Sequence, residues 1–107
     1  MNLPIYLRED RSCAPKQLLI GYRNEKNIDK IILNVDPNLP PLKWYLNFND
    51  LLFPFVNGEL AVTEELTKQA GNIRAYILGS NAKENSPITD GSIFFCSDVI
   101  FMKVGDR

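Results

Sequence analysis

The sequence predicts an all-β fold: an immunoglobulin-like, antiparallel two-sheet sandwich of about seven strands with one short helical turn near residues 63–70. Three observations predict it. Apolar residues recur at every second position in several short runs, the period of a strand that buries one face. Clusters rich in Pro, Gly, Asn and Asp separate these runs at spacings too close for alternating strands and helices. Only one segment carries both a helix start and a helix stop.

In chain order, Leu3 to Leu7 is the weakest strand candidate, at the head of a leader over residues 1–17. Leu18 to Tyr22 is a firm apolar run, and the polar stretch Arg23 to Asn27 after it predicts a hairpin into the next strand. Ile28 to Val35 alternates, with Ile31, Leu33 and Val35 on the face expected to point inward. Asp36-Pro37-Asn38-Leu39-Pro40-Pro41 cannot continue a ladder, because each proline lacks an amide donor and restrains its predecessor. Lys43 to Asn49 gives the clearest strand signal, with Trp44, Leu46 and Phe48 expected at the centre of the core.

Leu51 to Val56 and Glu59 to Val62 flank Asn57-Gly58, the pair best suited to the two positive φ angles of a type I′ turn. Pro54 relegates the first of these runs to a sheet edge. The helical turn opens at Thr63, carries Glu64 and Glu65 where the helix dipole favours them, and stops at Gly71. Asn72 to Ser80 alternates again, with Ile73, Ala75 and Ile77 on one face and Arg74, Tyr76 and Leu78 on the other. Asn81 to Gly91 reads as a loop. The closing run Ile93 to Val104 is interrupted by Ser97-Asp98, which predicts a bulge or kink. One β-sandwich domain over 1–107, with its core in 18–104, accounts for these elements.

Size and charge limit the function. A chain of 12.2 kDa buries about two-thirds of its unfolded surface, enough for a core without staples. Twelve basic and 13 acidic side chains leave a net charge of −1, without the clustered Lys and Arg that neutralise phosphates, so neither nucleic acid nor a membrane is an expected partner. No apolar stretch approaches membrane-span length. The chain contains no histidine, which excludes Ser-His-Asp and Cys-His catalysis and histidine metal sites.

The remaining chemistry-bearing residues have simpler readings. Glu9-Asp10 and Glu64-Glu65 are solvated charges rather than an acid–base pair, since sequence neighbours on a strand face opposite ways. Asp29, Asp36, Asp50 and Asp98 lack the spacing of a calcium loop. Gly71 and Gly79 stand outside any phosphate-binding signature and are read as turn residues. Cys13 and Cys96 are read as free, with Cys96 a small buried hydrophobe, and not as a disulfide or a reactive thiol. No catalytic, cofactor-binding or metal-binding residue is assigned, and the protein is expected not to be an enzyme.

Gly21-Tyr22-Arg23-Asn24-Glu25-Lys26-Asn27-Ile28-Asp29-Lys30-Ile31, then Trp44-Tyr45-Leu46, Leu66-Thr67-Lys68-Gln69-Ala70-Gly71-Asn72-Ile73 and Ser92-Ile93-Phe94 with a closing strand, follow a familiar order and spacing. Over residues 18 to 104 the chain resembles the small β-sandwich modules of tail and baseplate proteins from phages and prophages of Gram-positive bacteria, notably the N-terminal module of the baseplate upper protein. The turn from Leu66 to Gly71 is the most telling piece, a short helical crossing that would lift the chain from one sheet to the other. The chain departs from that pattern in its leader, Arg11 to Lys16, and in ending at Arg107 without a coiled coil or fibre. It is either an excised domain or a small free-standing protein.

The resemblance implies a noncatalytic structural or assembly module, present in the virion or, before assembly, in the bacterial cytoplasm. It would contact other virion and baseplate proteins or associate with itself. The candidate interaction surface is Leu51, Leu52, Phe53 and Phe55, an apolar stretch without alternation, together with Tyr45 and Tyr76. That stretch reads equally well as core. The alternative is a carbohydrate-binding or host-adhesion module in which Tyr45, Tyr76 and loop Asn and Asp residues bind a glycan.

Overall fold

The computed structural model describes residues 2–23, 29–81 and 93–106. Ten strands are described: β1 (Asn2–Leu7), β2 (Cys13–Ala14), β3 (Gln17–Tyr22), β4 (Lys30–Val35), β5 (Lys43–Phe48), β6 (Leu51–Pro54), β7 (Glu59–Ala61), β8 (Gly71–Ser80), β9 (Ile93–Cys96) and β10 (Ile100–Gly105). One four-residue helix, α1 (Glu64–Thr67), lies between β7 and β8. The strands form two sheets, a four-stranded one in the order β2-β1-β4-β7 and a six-stranded one in the order β3-β10-β8-β5-β6, with β9 also on β8. The all-β two-sheet sandwich is therefore as expected. The count exceeds about seven because the two-residue β2 carries no visible alternation and the kinked closing run forms both β9 and β10.

Pairing is mixed rather than wholly antiparallel. β1 runs parallel to β4 and β3 runs parallel to β10. The first pairing sets Leu3 beside Ile31 and Ile5 beside Leu33, so the buried residues of two alternating strands lie side by side. The leader thus contributes an interior strand. In the larger sheet Leu46 pairs with Ile77, while Ala75 sits between Phe48 and Ile100. Ala75 is fully buried, and its small side chain leaves room for the larger residues on either side.

The expected hairpin from Leu18–Tyr22 into Ile28–Val35 is overturned, because β3 and β4 belong to different sheets. A polar linker specifies a change of direction, not a partner. Asn57 and Gly58 do adopt positive φ, 53° and 77°, and Val56 and Glu59 close the turn with reciprocal backbone hydrogen bonds of 2.9 and 3.0 Å. Beyond that one bridge the strands part, β6 to one sheet and β7 to the other. The helical turn makes the expected crossing from sheet to sheet, burying Leu66 and Thr67. Thr63 precedes it in extended conformation but makes no side-chain cap bond.

Trp44 lies at the rim of the core, not its centre, which Leu46 and Phe48 share with Ile77. Its ring meets Phe95 edge to face at 5.7 Å and lies over Gly79, where a Cβ would come within 2.7 Å of it. Gly79 is accordingly not a turn residue. It sits inside β8 because the indole occupies the space a side chain would take. The interruption at Ser97 is also resolved: Ser97 N–H donates to the Ile77 carbonyl, and Ser97 Oγ accepts from Ile77 N–H, both at 2.9 Å. The serine hydroxyl replaces a missing strand carbonyl, so the ladder is satisfied across the break.

Candidate functional site

The six sequence-selected residues divide between two surfaces. Leu51, Leu52 and Phe53 lie on β6, the edge of the larger sheet, with Phe55 just after it. Tyr45 and Tyr76 lie on the outer face, with Leu52 opposite Asn47 and Asn47 opposite Tyr76. Leu52, Tyr45 and Tyr76 therefore share a face, whereas Phe53 and Phe55 turn inward. Phe53 stacks edge to face on Phe48 at 6.4 Å, and both inward rings pack against the core. Leu51 and Leu52 remain 52% and 41% exposed. The unalternating stretch is thus half core and half surface.

Asn49 and Asp50 join β5 to β6 with φ of 52° and 64°, the two-residue primed turn that favours regular hairpins. Asn and Asp are the nonglycine residues best suited to positive φ, so the turn could have been read from that pair. Phe55 N–H donates to the Trp44 carbonyl at 3.0 Å. Alternation along an antiparallel ladder then makes Leu46/Phe53 and Phe48/Leu51 the hydrogen-bonded pairs, and the backbone groups of Leu52 and Pro54 face away from the sheet. Proline has no amide to offer there. The outer side of β6 presents the Leu52 N–H as donor beside the two carbonyls, a poor template for adding a strand.

Between the β6 and β7 edges runs an apolar groove of about 620 Å³, lined by Phe53, Leu60, Val62 and the start of α1. A second opening of about 1050 Å³ on the other side of the Asn57-Gly58 turn is lined by Trp44, Tyr45, Pro54 and Phe55. A third concavity, about 460 Å³, differs in chemistry: Asn47, Asn49, Asp50, Asn72, Arg74 and Tyr76 line it on the outer face of the larger sheet.

Both cysteines are free. Cys13 is in the core and its thiol is pushed above its ordinary pKa, chiefly by burial. Cys96 is exposed, contrary to its expected burial: it follows buried Phe95 on β9 and so points to the opposite, outer face, where it pairs with Leu78. Burial also raises its pKa, and Arg11 partly opposes the shift. Among the described residues Asp10 is also displaced: its carboxylate accepts from Ser12 N–H at 3.0 Å and Ser12 Oγ at 2.6 Å in the turn between β1 and β2. Those bonds hold its pKa below the ordinary value. Glu9, Glu64 and Glu65 are exposed.

Among the described residues no group of three or more His, Cys, Asp or Glu could hold a metal ion, and no helix is long and apolar enough to cross a membrane. The sequence matches no family model and no curated protein. The resemblance to phage β-sandwich modules holds at the level of fold. The chain superposes on the solved N-terminal domain of phage TP901-1 ORF48 with a TM-score of 0.65 and 15% sequence identity, covering 97% of this chain and 98% of that one.

Proposed function

We propose that the protein is a noncatalytic structural module of a phage-like tail or baseplate, working through contacts with other virion proteins. The observation that carries this reading is the near end-to-end likeness to a phage protein domain, 97% of one chain on 98% of the other. The contact surface proposed is the β6 edge with its adjoining groove: Leu51 and Leu52 outside, Phe53 and Phe55 supporting them from within. Exposed leucines backed by half-buried aromatic rings suit an apolar contact. Pro54 directs that contact towards side chains, because the edge is a poor template for strand addition.

Co-expression with the proteins encoded by adjoining genes tests the proposal. A stoichiometric complex that survives size exclusion, and that Leu51→Asp with Leu52→Asp abolishes without unfolding the chain, is the expected result. A chain that stays monomeric beside every such protein would overturn it.

A further inference from the structure

The polar concavity on the outer face arises from strand lengths. β5 ends at Phe48, opposite Ala75, but β8 begins four residues earlier at Gly71. The first four residues of β8 therefore have β10 on one side and, among the described residues, no strand on the other. The Asn49-Asp50 turn and the Gln69-Ala70 link wall the resulting notch. Alternation along β8 sends Asn72, Arg74 and Tyr76 to the same outer face, and Asn47 stands beside Tyr76.

These side chains are chemically uncommitted. Asn47, Asn49, Asp50, Gln69, Asn72, Arg74 and Tyr76 take part in none of the side-chain hydrogen bonds or ion pairs of the described residues, although Asp50 and Arg74 carry opposite charges on one notch. The amides supply donors and acceptors together, the carboxylate accepts, the guanidinium donates, and the charges balance. Tyr76, half-buried, presents an aromatic ring at one end. We infer that this notch binds a short neutral oligosaccharide, whose hydroxyls need paired donors and acceptors and whose apolar ring face stacks on an aromatic side chain. A phosphorylated or acidic ligand would meet the Asp50 carboxylate as well as the Arg74 guanidinium and gain no net attraction, and an apolar peptide would strand the amides without partners. Tyr45 is not part of the site. It faces Pro54 and Leu78 in the next row.

The site borders β6 through Asn47 and the Asn49-Asp50 turn but shares no residue with the proposed contact, and it can be tested on the isolated chain. Maltotriose, cellotriose and triacetylchitotriose are titrated up to about 10 mM, enough to half-saturate a site with a dissociation constant in that range, while the side-chain amides are followed by NMR. Saturable shifts of Asn47, Asn72 and Gln69 with at least one sugar are expected, weakened about tenfold or more, or 1.4 kcal/mol, by Tyr76→Ala and unchanged by Tyr45→Ala. Asn72→Ala, at an exposed position, provides the same reading should Tyr76→Ala fail to fold. Silence of these amides with all three sugars, or shifts that persist in both folded variants, would overturn the inference. Binding of an oligogalacturonate alone would likewise overturn the neutral assignment.

Discussion

The β5–β8 pair has two faces built from adjacent residues yet governed by opposite rules. On the inner face Leu46, Phe48, Ala75 and Ile77 are all nearly or fully buried, and each is confined by its neighbours' volume. On the outer face Asn47, Asn72, Arg74 and Tyr76 line an open notch. At the notch, a single step along either strand moves from a position where the fold limits the residue to one where it does not; farther along β8 the outer face closes again over buried Leu78. Stability should therefore respond to one face and recognition to the other.

The sharpest way to break that contrast is to truncate the inner row. Ile77→Ala removes a fully buried side chain beside Leu46 and should cost about 2 to 5 kcal/mol. A lowered urea midpoint with an unchanged slope would register it. A loss below 0.5 kcal/mol would mean the two sheets do not close over this row.

The next effect lies where the ladder depends on a side chain. Ser97→Ala leaves the Ile77 amide, which donates to Ser97 Oγ, without its partner in a buried setting, at a cost of about 1 to 3 kcal/mol. Hydrogen exchange should quicken at the Ile77 amide more than at its neighbours along β8. Uniform quickening would instead assign the loss to global destabilisation.

How far the sequence disclosed this contrast depends on the distance between the residues involved. The alternation of Leu46 and Phe48, and of Ile31 and Leu33, is a local signal that marked the inner faces correctly. Asn57-Gly58 declared its turn because two positive φ angles need small or amide side chains. Neither signal carries information about which strand will lie alongside. The parallel pairs β1·β4 and β3·β10 join segments far apart in the chain, so the hairpin expected after Tyr22 had no local contradiction. Trp44 shows a related gap: alternation chose its face, but its position at the rim depends on Gly79, a distant residue. The outer notch was hidden for the same reason. It exists only because two strands of unequal length are set side by side, bringing Asn49 and Asp50 near Asn72 and Arg74. Tyr76 was legible as an outward aromatic; its company was not.

Cysteine chemistry separates the core from the outer face without altering either. Cys96 is exposed on the outer face and Cys13 is in the core. In both, burial raises the thiol pKa above the ordinary value, so the reactive thiolate is scarcer at any given pH than on a free cysteine and gains population as pH rises. Iodoacetamide in mildly alkaline buffer should modify Cys96 slowly and leave Cys13 intact until denaturant is added, as peptide mass spectrometry would show. Equal labelling of the two in the folded protein would place Cys13 in contact with solvent.

The smallest expected change tests the outer face directly. Tyr76→Phe keeps the ring and removes only a hydroxyl that makes no hydrogen bond among the described residues. Its effect on unfolding should stay within about 0.5 kcal/mol. If the notch recognises its ligand by stacking, this variant should also keep most of the sugar-induced shifts that Tyr76→Ala loses. Loss of those shifts in Tyr76→Phe would transfer the recognition from the ring to the phenolic oxygen, leaving the two faces distinct but changing how the outer one works.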